Sequence, residues 1–150
     1  MPDLKVSKIP NGSVIDHIPV GRGLKILNLL RMNGDFDKTA SLLMNVESSK
    51  MDKKDILKVE DRELEEEEVK SVSVLAPGAT LNIIDDYKVV EKKRLDLPEK
   101  IESVLECPNP HCVTNTDEPL NASFEVTERK PVALQCKYCE RKFTSSDLDI

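Results

Sequence analysis

Tryptophan is absent from this chain, and aromatic residues amount to only 3% of it. A hydrophobic core therefore has to be assembled mainly from valine, isoleucine and leucine, and little is left for a base-stacking surface. No apolar run approaches the ~20 residues that a membrane-spanning helix requires. The opening residues, MPDLKVSKIP, contain no apolar signal core, so the cytoplasm is expected rather than secretion. An excess of positive charge is missing as well. Up to residue 100, 17 basic residues face 19 acidic ones (−2), and beyond it 5 face 9 (−4), which makes −6 over all 150 residues. Such a balance does not suit a phosphate backbone. Any phosphate ligand must be small and met by a few placed cations. Familiar nucleotide loops are lacking too. Neither G-x-x-x-x-G-K-[ST] nor G-x-G-x-x-G occurs, and GRG at 21–23 is too short to carry meaning. No order of Ser, His and Asp compels a catalytic triad.

What is present is a chain with 39% apolar and 33% charged residues, read here as two units. In the first, LKVSKI (4–9) and SVIDHIP (13–19) have strand character, separated by the turn dipeptide Asn11-Gly12. GRGLKILNLLRMNG (21–34) predicts a helix with Leu24, Ile26, Leu27 and Leu30 on its apolar face and Gly34 as its stop. TASLLMNVES (39–48) and KDILKVED (54–61) predict strands. RELEEEEVKSVSVLAPG (62–78) predicts a helix whose acidic start suits the positive end of the helix dipole, with Glu65–Glu68 as a solvated face. ATLNIIDDYKVVEKKRL (79–95) predicts one long last strand. The whole makes an α+β arrangement, one sheet with helices packed on a face. Pro98, in LDLPEKI, marks the boundary, dividing the chain into residues 1–97 and 98–150. The second unit offers only SFEVTE, VALQCK and ERKFT as short strands. So small a unit rarely folds without a metal or a disulfide.

Cys107, Cys112, Cys136 and Cys139 form C-x4-C…C-x2-C. Each pair has a spacing at which a tight turn aims two thiolates at one ion, and four thiolates in a tetrahedron suit zinc. Two disulfides, a redox pair at Cys136–Cys139 and an iron or iron–sulfur centre are the alternatives. Four cysteines fill a tetrahedral coordination sphere, so a zinc site here is expected to be closed and structural, with His111 at the surface. With −4 on this half, docking to a protein is the better reading of such a module. A zinc ribbon that binds nucleic acid or serves transcription is the alternative.

Polar residues also interrupt the apolar strands of the first unit. Asp16 and His17 stand in VIDHIP, and Lys54 and Lys58 lie four apart in KKDILKV. Asn82, Asp85, Asp86 and Tyr87 follow in the last strand, ahead of Lys92, Lys93 and Arg94. They can be a strand-end pair and an exposed lysine face. They can equally hold a small phosphorylated ligand between a few lysines, a histidine and a ribose-binding carboxylate.

GSVIDHIP, KKDILKVE, LAPGATLNIIDDYKVVEKK, LPEKIESVLECPNPHC and LQCKYCERKF, in this order and over almost the full length, resemble the regulatory subunit of aspartate carbamoyltransferase. The resemblance implies a five-stranded antiparallel sheet with two helices on one face, followed by a small zinc-bound all-β domain. It also implies CTP as inhibitor and ATP as activator, bound by the first domain. The zinc domain would contact the catalytic chains, and regulatory dimers would join catalytic trimers. The reaction, a step of pyrimidine biosynthesis, would belong to the partner, and this chain would have no catalytic activity. Carried onto matching positions, Val6, Lys8 and Ile9 would surround the base, with backbone groups of Ile9 and Tyr87 reading its edge. Asp16 and Lys58 would meet the ribose, and His17 and Lys92 the triphosphate, while Lys54, Asn82, Ile84 and Val89 would complete the wall. Lys8 stands where the family has a small residue, and His111 where it has asparagine. Asn109, Lys137 and Glu140 match the family's pattern for contact with the catalytic chain.

Overall fold

The computed structural model describes residues 9–32, 36–49, 52–102, 105–116 and 120–147. The segment expected as a first strand lies almost wholly outside the described residues, and so do Val6, Lys8 and Gly34.

Five antiparallel strands form the first sheet: β1 (Asn11–Ile18), β2 (Ala40–Ser48), β3 (Asp52–Glu60), β4 (Thr80–Asp85) and β5 (Lys88–Arg94). Their spatial order is β2-β3-β1-β4-β5. Helices α1 (Gly23–Leu29) and α2 (Glu66–Leu75) cover the face on which Ile15, Leu57, Val59 and Leu81 are buried. The expected sheet with two helices on one face is therefore present, although its fifth strand arises differently. The run 79–95 is not one strand but a hairpin. Asp86 and Tyr87 turn it with φ of 50° and 63°, the left-handed pair that a two-residue hairpin loop needs to match the strand twist. Asp tolerates that region, whereas Tyr adopts it only where tertiary contacts compensate.

Asn11-Gly12 is not a turn either; both residues belong to β1. Gly12 has φ +135°, and a Cβ there would lie 2.0 Å from the Val59 carbonyl oxygen of β3. Its glycine serves a close approach of strands rather than a reversal of the chain. At its other end β1 bulges between Ile15 and Ile18, with His17 in the left-handed region at φ 59°.

α1 is shorter than its periodicity predicts. Ile26, Leu29 and Leu30 are buried, but Leu24 is 50% exposed. Two residues before Ile26 means roughly 200° around the helix, which turns Leu24 to solvent. The helix stops before Gly34. Arg31 takes the left-handed conformation, its N–H donates to Asn28 O, and the Met32 N–H donates to Leu27 O. These two bonds make the paired C-terminal cap usually associated with glycine. At the start of α2, Glu65 and Glu68 form a reciprocal capping box. Glu68 also pairs with Arg62 at 2.5 Å, so the acidic run is not wholly a solvated face.

The second sheet has the order β6 (Lys100–Glu102), β7 (Ser123–Arg129), β8 (Val132–Cys136) and β9 (Lys142–Thr144). β7, β8 and β9 fall on the three expected segments. β6 was not expected, because three residues carry no usable alternation. One buried cluster runs from Ile15 and Leu57 through Leu95, Leu97 and Ile101 to Phe124 and Leu134. Among the described residues no helix is long and apolar enough to cross a membrane.

Candidate functional site

Strand register assembles the first site from distant segments. Lys58 pairs with Val14, Val14 with Asn82, and Asn82 with Lys92. Residues opposite one another on neighbouring strands share a sheet face, so these four side chains form one row across β3, β1, β4 and β5. The row lies on the face without helices. An open cavity of about 490 Å³ occupies it, lined by Ile9, Val14, Asp16, Ile56, Lys58 and Asn82, with Ile84, Tyr87, Lys88 and Val89. Its floor is aliphatic, and its polar side-chain groups are one carboxylate, one amide, one phenol and two ammonium groups. That mixture suits a ligand with a flat, partly apolar body and an anionic end.

Of the twelve positions expected around a nucleotide, seven line this cavity: Ile9, Asp16, Lys58, Asn82, Ile84, Tyr87 and Val89. Val6 and Lys8 lie outside the described residues. His17, Lys54 and Lys92 stand beside the cavity rather than in its lining. The ammonium of Lys54 lies 2.9 Å from Asp16 Oδ1. Nδ1 of His17 is 3.4 Å from the Thr80 hydroxyl. The bulge brings His17 there, and the Asp16 carboxylate accepts the His17 backbone N–H at 2.6 Å. Lys92 is exposed on edge strand β5.

Val14, Ile56 and Lys88 were missed as lining residues. The first two were legible in principle, because Val14 shares the parity of Asp16 and Ile56 lies midway between Lys54 and Lys58. Lys88 carried no signal, since its position follows from the hairpin. Another cavity, of about 510 Å³, is lined by Asp61, Glu63, Asp85 and Glu91 against a single Arg62. Four carboxylates there repel polyphosphate, so by charge that cavity suits an anion less than the one lined by Lys58 and Lys88, although it is no smaller.

The metal centre is built from two turns. In the first, the Cys112 N–H donates to Asn109 O at 3.0 Å, and the Asn115 amide donates to Cys107 O and Asn109 O at 2.8 and 2.7 Å. In the second, the Glu140 N–H donates to Cys136 O at 2.9 Å. The sulfurs of all four cysteines lie within 4.8 Å of one another. Across the two turns, Cys107 Sγ is 3.7 Å from Cys139 Sγ, and Cys112 Sγ is 3.8 Å from Cys136 Sγ. A tetrahedron with metal–sulfur bonds of ~2.3 Å has edges of ~3.8 Å, whereas a disulfide needs ~2.05 Å. The four thiols are free cysteines arranged at coordination distance.

Burial pushes the Cys107 and Cys136 thiols up, and neighbouring thiols add to the rise. At Cys112 burial also opposes ionisation, but bonds from the Thr114 hydroxyl and amide outweigh it and bring the thiol below its ordinary value. Burial is outweighed at Cys139 too, where the Arg141 amide and the Asn109 side chain pull the thiol down to about 7. Thiolates gathered this closely need a cation among them, so the donor set fits a bound metal. His111 is exposed and outside the cluster. Lys137 and Glu140 are exposed beside it, whereas Asn109 is buried and committed to the first turn.

Comparison with known proteins covers both units. Residues 4–96 match the family described as aspartate carbamoyltransferase regulatory chain, allosteric domain, and residues 99–149 match its metal binding domain. The aspartate carbamoyltransferase regulatory chain of Methanothrix thermoacetophila is 50% identical over 142 residues, covering 95% of this chain and 92% of the relative. That of Saccharolobus solfataricus is 47% identical over 97% of this chain and 92% of its own length. The Thermoplasma volcanium protein of the same name is 44% identical over 97% and 95%. Two sheets, a four-thiol metal centre and near-complete coverage lead to one assignment: this chain belongs to the aspartate carbamoyltransferase regulatory chain family.

Proposed function

We propose that this chain is a non-catalytic sensor of nucleoside triphosphates, binding CTP and ATP in the open cavity of the first sheet. It passes the signal to the catalytic chains of aspartate carbamoyltransferase in the cytoplasm. Asp16 and Lys58 meet the ribose, Tyr87 and Ile9 the base, and Lys92 and His17 the triphosphate. The observation that carries this reading is the row Lys58–Val14–Asn82–Lys92, which sets cations at both ends of an aliphatic floor. CTP and ATP oppose each other only if they bind two quaternary states with unequal affinity, since equal affinity shifts nothing.

The metal of the second unit is zinc, held by Cys107, Cys112, Cys136 and Cys139. It would supply a closed tetrahedral cross-link between two turns, and no reaction step is assigned to it. The four cysteines orient the turns so that Lys137 and Glu140 are presented to the catalytic chain. Two such chains pair as a regulatory dimer, which lets one assembly join two catalytic trimers.

The direct test mixes the chain with its catalytic partner and titrates CTP and ATP while carbamoyl aspartate formation is followed. The expected result is a nucleotide-dependent change in activity from the mixture and none from either chain alone. A mixture whose activity ignores both nucleotides would refute the reading.

A further inference from the structure

Asp55 is wholly buried, and no other Asp, Glu, Lys or Arg among the described residues is buried. An isolated carboxylate in such a place is costly unless its oxygens are bonded. Here both oxygens are used, entirely by backbone N–H groups. Oδ2 accepts from Gly21 at 3.2 Å and from Gly23 at 3.1 Å, and Oδ1 accepts from Asn45 at 3.1 Å. Charge-assisted bonds of this kind are the strong ones, and they tie β3 to the start of α1 and to the bulge of β2. Asp55 sits on β3 between Lys54 and Ile56. Because side chains alternate along a strand, it faces away from the cavity that Ile56 and Lys58 line.

Gly21 and Gly23 flank Arg22, so the two bonds from Asp55 fix the backbone on both sides of that residue. The Arg22 side chain leaves the first unit. Its Nη2 donates to Ser145 Oγ at 3.2 Å, while its buried Nη1 meets no acceptor among the described residues. Ser145 is buried and opens the 3-10 turn Ser145–Asp147 directly after β9. β9 pairs with β8, and β8 ends on the metal ligand Cys136. A continuous physical connection thus runs from the strand under the nucleotide face to the metal centre, separate from the linker through Leu95 and Leu97.

We propose that Asp55 and Arg22 are positioning residues for regulation, coupling movement of β3 to the metal-binding unit through the Arg22–Ser145 contact. This inference rests on the nucleotide reading above and deepens it. Asp55 makes the connection stiff on the sensing side, since three bonds hold one buried carboxylate. The Arg22 end is the opposite. Among the described residues one hydrogen bond and one unpartnered guanidinium nitrogen make a joint that is easily remade, as a contact that differs between two quaternary states must be.

The test uses the assembled complex of this chain with its catalytic partner and the variants Arg22→Ala, Ser145→Ala and Arg22→Lys. Nucleotide affinity is read by calorimetry, and coupling by the nucleotide-induced change in half-saturating aspartate. Both alanine variants are expected to bind CTP and ATP as the unaltered chain does, while the nucleotide-induced change shrinks by about two-fold or more. Arg22→Lys, which can still donate to Ser145, should retain more of the change than Arg22→Ala. Alanine variants that bind and signal fully overturn this proposal alone, and so does a loss of signalling that merely tracks a loss of binding. An unaltered chain that binds no nucleotide overturns the site reading first and this coupling with it. Substitution at both ends of one contact keeps the result independent of how a single variant folds.

Discussion

Lys54 and Asp16 meet between neighbouring strands of the first sheet, Nζ to Oδ1 at 2.9 Å, with only 15% and 25% of the side chains exposed. The pair holds the Asp16 carboxylate at the rim of the cavity with one oxygen engaged and assigns Lys54 to orienting it. A carboxylate so placed can accept from ribose hydroxyls. Asp16→Ala is therefore expected to remove the preference for CTP over 2′,3′-dideoxy-CTP. A hydroxyl bonded to a charged group is worth about 1.5–3 kcal/mol, or roughly ten-fold or more in affinity. Calorimetry with both nucleotides checks this, and a preference that survives the substitution rules Asp16 out as the ribose contact.

Lys92 lies opposite Asn82 in the β4–β5 register and is exposed, so its ammonium is free to follow a phosphate. A triphosphate is common to CTP and ATP. Lys92→Ala should weaken CTP and ATP to the same degree, by about ten-fold, the lower end for a charge-assisted bond at an exposed site. If only one nucleotide weakens, Lys92 touches the base or ribose end instead.

The metal centre makes a prediction through its geometry. With sulfur contacts of 3.7 and 3.8 Å running between the two turns, each thiolate is a corner of one tetrahedron and each contact one of its edges. Loss of one ligand opens it. Cys112→Ala should bring metal content well below one ion per chain, unfold the second sheet and abolish co-elution with catalytic chains. Circular dichroism should still report the first sheet.

Acid should do the same to the unaltered chain. Ligation requires thiolates, so a bound metal lowers the folded-state thiol pKa below the unfolded value. The stabilisation is present at neutral pH and is lost as pH falls and protons displace the metal. A colorimetric metal indicator should record release on acidification and uptake on return to neutral pH. Release on raising the pH instead would contradict thiolate ligation.

Two glycines with positive φ separate crowding from backbone strain. At Gly12 an added Cβ would meet the Val59 carbonyl oxygen at 2.0 Å, whereas at Gly21 nothing lies within 4 Å. Gly21→Ala should cost about 1 kcal/mol of stability from its conformation alone. Gly12→Ala should cost distinctly more, about 3 kcal/mol or above, because β1 and β3 must separate. Equal thermal shifts for the two would mean that the β1–β3 approach is not rigid.

What the amino-acid sequence determined by itself is whatever depends on neighbours a few residues apart. C-x4-C and C-x2-C are turn-length spacings, so the metal centre could be read directly. The acidic start of α2 and the strand periods of β2, β3 and β7 are equally local. What only the tertiary structure decided is whatever rests on register or on a backbone conformation that the residue type does not advertise. Tyr87 holds a left-handed conformation that its side chain disfavours, so the hairpin left no mark in the run of residues. Lys58, Val14, Asn82 and Lys92 come from four strands, and their alignment depends on the bulges and pairings that fix each strand's offset. Asp55 reads as one more charge in KKDILKV. Burial beneath α1, where three backbone N–H groups converge on it, makes it a tie between segments, because a buried carboxylate is tolerated only where the fold brings donors to it.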